Sequence, residues 1–313
     1  MSSGALKYGS LFVDGVDVFE RYGVYVIDGG WDSLLAFPPL KTVSSNDWQE
    51  EDGLECDLAE PVLDTRSVTL KFAVSGAVKN LYGFLALLAD KGVHEFRCEE
   101  VGRTFRLRLV SQSSLEYYSL LGFVSLKFAD DYPLDGYTYA APTGGGVTPQ
   151  TGFKLDGVPF SDYGVVLLEG SVAEIARVPN VKTALLRNIT TQAGAEYDGD
   201  SPVTFKSADI KLTCLLRAAG LEEMWRNWYA LLHDLTQPEA RRLYARPLQR
   251  EYPCHYKSCS VSDFSTVGRV WLEFSLTLTL IGSPSDVPDT LRLLESGALR
   301  FTSGGALRLV LEK

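Results

Sequence analysis

An internal repeat constrains this chain more than any other feature. The segment Leu11-Phe-Val-Asp-Gly-Val, followed by Tyr22-Gly-Val, recurs as Phe153-Lys-Leu-Asp-Gly-Val, followed by Tyr163-Gly-Val. The Asp-Gly pairs lie 142 positions apart and the Tyr-Gly pairs 141, so one residue is missing between them in the second copy. Each Asp-Gly stands between apolar alternations, which is the pattern of a two-residue hairpin turn with positive φ. The chain's 313 residues suffice for two domains at roughly 150 residues each.

Beyond these starts the two copies keep the same order. Polar stretches at 41–66 and 182–207 lead into alternating strands at 68–74 and 209–215. One amphipathic helix comes next. Val78, Leu81, Leu85 and Leu88 fall at helical spacing in the first copy, and Leu221, Trp225, Trp228, Leu232 and Leu235 do so in the second. Glu222 and Glu223 occupy the first turn of the latter, where the helix dipole favours acids. Two strands close each copy. Phe105, Leu107 and Leu109 share a face, as do Val124, Leu126 and Phe128; residues 270–280 alternate strictly, with Val270, Leu272, Phe274, Leu276, Leu278 and Leu280 on one side. With no parallel βαβ alternation, this order predicts a mainly β (α+β) chain. It consists of two tandem antiparallel β-sandwich or half-barrel domains, each with one packed helix. The expected boundaries are 1–133 and 152–284, joined by a linker at 134–151 with the Gly144-Gly-Gly run. Residues 285–313 form a different unit, in which Leu291-Arg-Leu, Leu299-Arg-Phe and Leu307-Arg-Leu recur every eight residues with Ser-Gly turns between. It reads either as a frayed tail or as short C-terminal attachment strands around Leu291, Leu299 and Leu307 that need another sheet edge.

Composition narrows the function. Forty acids against thirty bases leave a net charge of −10, which argues against general binding of nucleic acid or anionic membranes. No segment has the length and apolarity of a membrane span, and the first residues lack the charged-then-apolar order of a signal peptide. Five scattered cysteines suit reduced thiols. Cys254, His255 and Cys259 form the one cluster with ligand flavour, but zinc needs a fourth ligand and a tighter pair. No cofactor, metal or catalytic residue is expected: the three histidines, His94, His233 and His255, lie in no nucleophile or metal motif. A hydrolase with paired carboxylates cannot be assigned from sequence, because the separation that matters is spatial.

The two long loops carry acids beside an aromatic. Trp48, Glu50, Glu51 and Asp52 lie in the first, and Glu196, Tyr197, Asp198 and Asp200 in the second. Loops of this length without regular structure tend to be functional. They read as solvated loops, as assembly contacts, or as the lining of a negative surface. A β-sandwich carbohydrate-binding or adhesin module is the alternative, with Trp31, Trp48 and Tyr197 as stacking platforms.

The opening order, strand-Asp-Gly-Val then Tyr22-Gly-Val, resembles the start of distal tail proteins of long-tailed bacteriophages. The succession of strands, long loop, single helix and strands over 11–133 and 153–284 resembles the tail-tube fold shared by tube, distal-tail and hub proteins. Leu293-Leu-Glu-Ser-Gly is similar to the endings of prophage tail proteins. This chain departs from the common distal-tail layout, because its second half resembles its first. The resemblance implies a non-enzymatic structural protein of the virion tail, assembled in the bacterial cytoplasm. It further implies a homo-oligomeric ring, a trimer with pseudo-sixfold symmetry or a hexamer, that meets neighbouring tail proteins. DNA would pass through the ring without specific binding, and no membrane is involved.

Overall fold

The computed structural model describes residues 9–27, 29–147, 152–183, 186–191, 193–197 and 203–286. Asp198, Asp200, Leu291, Leu299 and Leu307 lie outside the described residues. The first half runs β1 (Leu11–Val13), β2 (Val16–Asp17), α1 (Val18–Tyr22), β3 (Val24–Val26), α2 (Asp32–Leu35), β4 (Ser45–Asn46), β5 (Glu55–Cys56), β6 (Arg66–Ser75), α3 (Val78–Ala89), β7 (His94–Cys98), β8 (Arg103–Tyr118) and β9 (Leu121–Asp130). The second runs β10 (Phe153–Leu155), β11 (Val158–Pro159), a 3-10 turn at Phe160–Tyr163, β12 (Val165–Leu167), α4 (Ser171–Ala176), β13 (Leu186–Asn188), β14 (Ala195–Tyr197), β15 (Ala208–Ala218), α5 (Leu221–Leu235), β16 (Arg241–Ala245), β17 (Arg250–Ser265) and β18 (Val270–Leu280). A final short strand, β19 (Ser285–Asp286), pairs with β17.

The protein is mainly β, built on two large antiparallel sheets. One has the order β2-β1-β7-β8-β9-β6-β3, the other β11-β10-β16-β17-β18-β15-β12. Position for position these are the same sheet. The repeat motifs explain why. Asp14 and Gly15 turn the first hairpin at φ 50 and 80, and Asp156 and Gly157 turn the second at φ 50 and 84. Two successive positive φ values are what a tight primed turn between twisted strands requires. The Tyr-Gly glycines serve a second purpose. Gly23 (φ 65) and Gly164 (φ 70) end the short helical turns. Each also lies so close to the neighbouring strand that an added Cβ would stand 2.5 Å from the Ser75 carbonyl oxygen or 2.6 Å from that of Arg217. Only glycine satisfies both demands.

The alternating strands bury the predicted faces. Val68, Leu70, Phe72 and Val74 of β6 meet Val124, Leu126 and Phe128 of β9; Ile210, Leu212, Cys214 and Leu216 of β15 meet Leu272, Phe274, Leu276 and Leu278 of β18. The polar stretches hold short hairpins, β4–β5 and β13–β14. The helices differ from expectation in one respect. In α5, Trp225, Trp228, Leu232 and Leu235 are buried as predicted, together with Met224, Tyr229 and Leu231, while Leu221 is only half-buried. In α3 the buried residues are Leu81, Phe84 and Leu88, while Val78 is exposed and Leu85 only half-buried. α3 is covered on one side alone, so its buried stripe is narrow and centres on Phe84.

Candidate assembly interface

The two sheets are joined front to back. α2 stops at Leu35 because Phe37-Pro38-Pro39 comes next, and a residue before proline is pushed out of the helical region. That residue is Phe37; Ala36 before it has already left the helix at φ −59, ψ 146, and the chain runs on as an extended finger until Leu40 bridges Leu63. This finger enters the second half. Phe37 stacks on Trp228 with ring centroids 3.8 Å apart and meets the Tyr256 ring edge-on at 6.3 Å. The Trp228 indole donates to the Leu35 carbonyl at 2.9 Å, and the Tyr256 hydroxyl to that of Pro38 at 3.0 Å. One turn earlier in α5, the Trp225 indole donates to the Val101 carbonyl at 2.6 Å, and Arg103 lies over both Trp225 and Tyr229. The two indoles and the Tyr256 hydroxyl are therefore paired across the joint, which is what burial requires of them.

Arg66 holds the finger's base. Its guanidinium is buried, donates to the carbonyls of Leu34 and Ala36, and is paired with buried Asp130. Leu280 faces Ala208 in the second sheet where Asp130 faces Arg66 in the first, so only the first half carries this pair.

The first acidic loop forms the other edge of the joint. Lys182 is almost wholly covered by it, 2.5 Å from the Asp47 carboxylate and donating to the Trp48 carbonyl at 2.6 Å. Thr204 donates to the Gln49 carbonyl at 2.7 Å. Asp52 accepts from the Phe205 N–H at 2.8 Å and from the Ser283 hydroxyl. Those two hydrogen bonds lead the causes that hold its carboxyl below the usual range. Backbone pairing continues through Gly53 and Leu54 to Phe205 and Ile281. Trp48 is half-exposed and donates to Glu55, while Glu50 and Glu51 are exposed. Glu196 is exposed on β14 beside Tyr197, on the opposite half. The first loop thus meets the ends of the second polar stretch at Lys182, Thr204 and Phe205, and Asp52 belongs to that contact between halves. The residues that make the joint, Phe37 and Pro38 above all, were not singled out from the sequence. The signal was there, in the parallel between Phe37-Pro38-Pro39-Leu40-Lys41 and Val178-Pro179-Asn180-Val181-Lys182.

The stretch expected as a glycine-rich linker is laid along α5. Tyr137 packs on Tyr229 at 5.4 Å and Tyr139 on His233 at 4.5 Å. The Thr143 N–H donates to Asn227 at 2.8 Å, and the Gly144 N–H to the Asp162 carbonyl at 2.8 Å.

Side chains with chemical potential are tied to structural partners. His94 is buried between Asp14 (2.7 Å) and the Leu88 carbonyl (2.9 Å), and His255 contacts the Tyr256 carbonyl. Burial pushes Cys254 and Cys259 up to about 12 and raises Cys56, the reverse of an activated thiolate. Among the described residues no three His, Cys, Asp or Glu side chains gather in a way that could hold a metal ion. No helix among them is long and apolar enough to cross a membrane. Trp31, suggested as a sugar platform, is buried, with its indole bonded to Glu100 at 2.5 Å.

The class these features define is a duplicated antiparallel β protein whose like sheets meet head to tail. No family model matches the sequence, and no curated protein matches it. Among solved structures the chain is similar to the crystal structure of the SPP1 Dit protein (gp 19.1), described as a paradigm of the hub adsorption apparatus in phages infecting Gram-positive bacteria. The two share 11% identity over 87% of this chain and 98% of that one, with a TM-score of 0.33. So slight a likeness bears on neither fold nor function.

Proposed function

We propose that this chain is a non-enzymatic structural component of a phage or prophage tail, three copies of which form a pseudo-sixfold ring around a channel for DNA. The observation that carries the reading is the front-to-back joint between two sheets of identical strand order in one chain. Such a contact is heterologous: repeated between molecules, it generates a ring when the rotation closes. The sequence resemblance to tail-tube proteins supplies the setting, in the virion tail beside neighbouring tail proteins, on units 1–133 and 152–284. Exposed Glu50 and Glu51, with Glu196 and the remaining acids of its loop, give the ring a phosphate-repelling lining past which DNA slides. Asp52 holds the halves of one chain together, and half-exposed Trp48 acts as an assembly contact. Residues 285–313 attach the ring to a neighbour through the strands around Leu291, Leu299 and Leu307, leaving the second sheet beside β17.

Negative-stain or cryo-electron microscopy of the concentrated protein tests this. The expected particle is an annulus of three chains with six similar lobes and a central opening. Closed two-chain particles, or loops 46–55 and 196–200 on the outer rim, would reject the ring or its lining respectively.

A further inference from the structure

The front-to-back joint leaves one finger and one receiving surface over. The second half carries its own finger. α4 ends at Ala176, Arg177 turns extended at φ −62, ψ 123, Val178-Pro179 comes next, and Val181 bridges Phe205 as Leu40 bridges Leu63. Their surroundings differ sharply. Phe37 is 4% exposed against Trp228, whereas Val178 is 72% and Val181 53% exposed.

The receiving surface is likewise present twice. In the second half it is made by α5 and β17, where Tyr256 stands opposite Leu278 just before a bulge. In the first half, Leu109 of β8 stands opposite Phe128 just before the corresponding bulge. The shared Ala-Leu-Leu ending of the two helices puts Phe84 in the place of Trp228 and Leu85 in that of Tyr229. Where the finger covers this surface, Tyr256 is 0% and Trp228 1% exposed. On the first half, Leu85 and Leu109 are half-buried, and Leu115, opposite Val124 on the same face of the sheet, is exposed. Lys41, exposed, stands where Lys182 is clasped by Asp47.

We infer that Val178-Pro179 of one copy docks between α3 and β8 of a second copy of this chain. The contact repeats between chains what Phe37-Pro38 does within one. It rests on the ring reading and locates the seam between protomers. The occupant is another copy because the chain already contains the matching contact and its leftover halves are complementary. The aliphatic Val178 and Leu109 replace Phe37 and Tyr256, and Phe84 in the place of Trp228 is already buried, so the seam buries less apolar area than the internal joint and forms the more weakly.

Two variants on exposed positions test the seam, Val178→Asp for the finger and Leu115→Asp for the receiving surface, with molar mass followed by light scattering over a concentration series. Each variant should melt like the wild type and lose the assembled species. Mixed together they should form two-chain complexes and nothing larger, since Val178→Asp retains a receiving surface and Leu115→Asp a finger. A Val178→Asp protein that assembles to the wild-type mass, or a mixture no heavier than its components, overturns the seam and leaves the ring standing. A wild-type chain that stays monomeric throughout overturns both.

Discussion

Asp14 shows how one side chain can fasten a sheet edge. It turns the first hairpin and at the same time binds the neighbouring strand, accepting from the Glu95 N–H at 3.0 Å, the His94 ring at 2.7 Å and Lys91 at 2.9 Å. Asp156 repeats the arrangement, with Arg242 N–H at 2.8 Å and Arg241 at 2.9 Å. Partial burial pushes the Asp14 carboxyl up, but the Glu95, His94 and Lys91 contacts outweigh it and hold the group at about 2 instead of 3.8. Because the folded value is the lower one, this carboxylate stabilises the fold fully above about pH 4 and loses that contribution as pH falls towards 2. Asp14→Asn should therefore lower stability at neutral pH, with the gap to wild type narrowing between pH 4 and 2. Denaturant unfolding at several pH values measures it; a gap independent of pH would show that the carboxylate charge is not involved.

Among the elements, the two long helices separate by their surroundings. Trp228 reaches from Phe274 in the core, 4.6 Å away, to Phe37 across the joint. Removing such a ring leaves a cavity that the packed sheet cannot close, so Trp228→Ala should cost about 3–5 kcal/mol. Leu85, on the equivalent helix, has solvent on one side. Leu85→Ala should cost only about 1 kcal/mol, a contrast that urea unfolding reads directly. Equal losses would mean that α3 is enclosed as fully as α5.

For the whole molecule, the joint couples two cores that could each stand alone in size. Phe37 is the side chain that closes it, and Trp225 and Trp228, both at the joint, report on it by fluorescence. In the wild type, unfolding followed by tryptophan fluorescence and by far-ultraviolet circular dichroism should coincide. In Phe37→Ala, the fluorescence transition should come first, at lower denaturant. Coincident transitions in the variant would place the coupling elsewhere, in the acidic loop or the strap along α5.

Local rules wrote the repeat into the sequence. Asp-Gly turns, period-two strands such as 270–280 and the helical spacing of Trp225, Trp228 and Leu232 depend on neighbours a few residues away, so each could be read along the chain. The same rules gave too wide a stripe on α3, because periodicity marks which residues could be buried and not whether a second layer arrives to bury them. What the tertiary structure alone decided was the fate of like segments: Phe37 is enclosed and Val178 is bare, Asp52 is bonded to Phe205 and Glu50 is exposed to solvent. That difference comes from contacts between residues more than a hundred positions apart, whose pairing depends on how one sheet is set against the other.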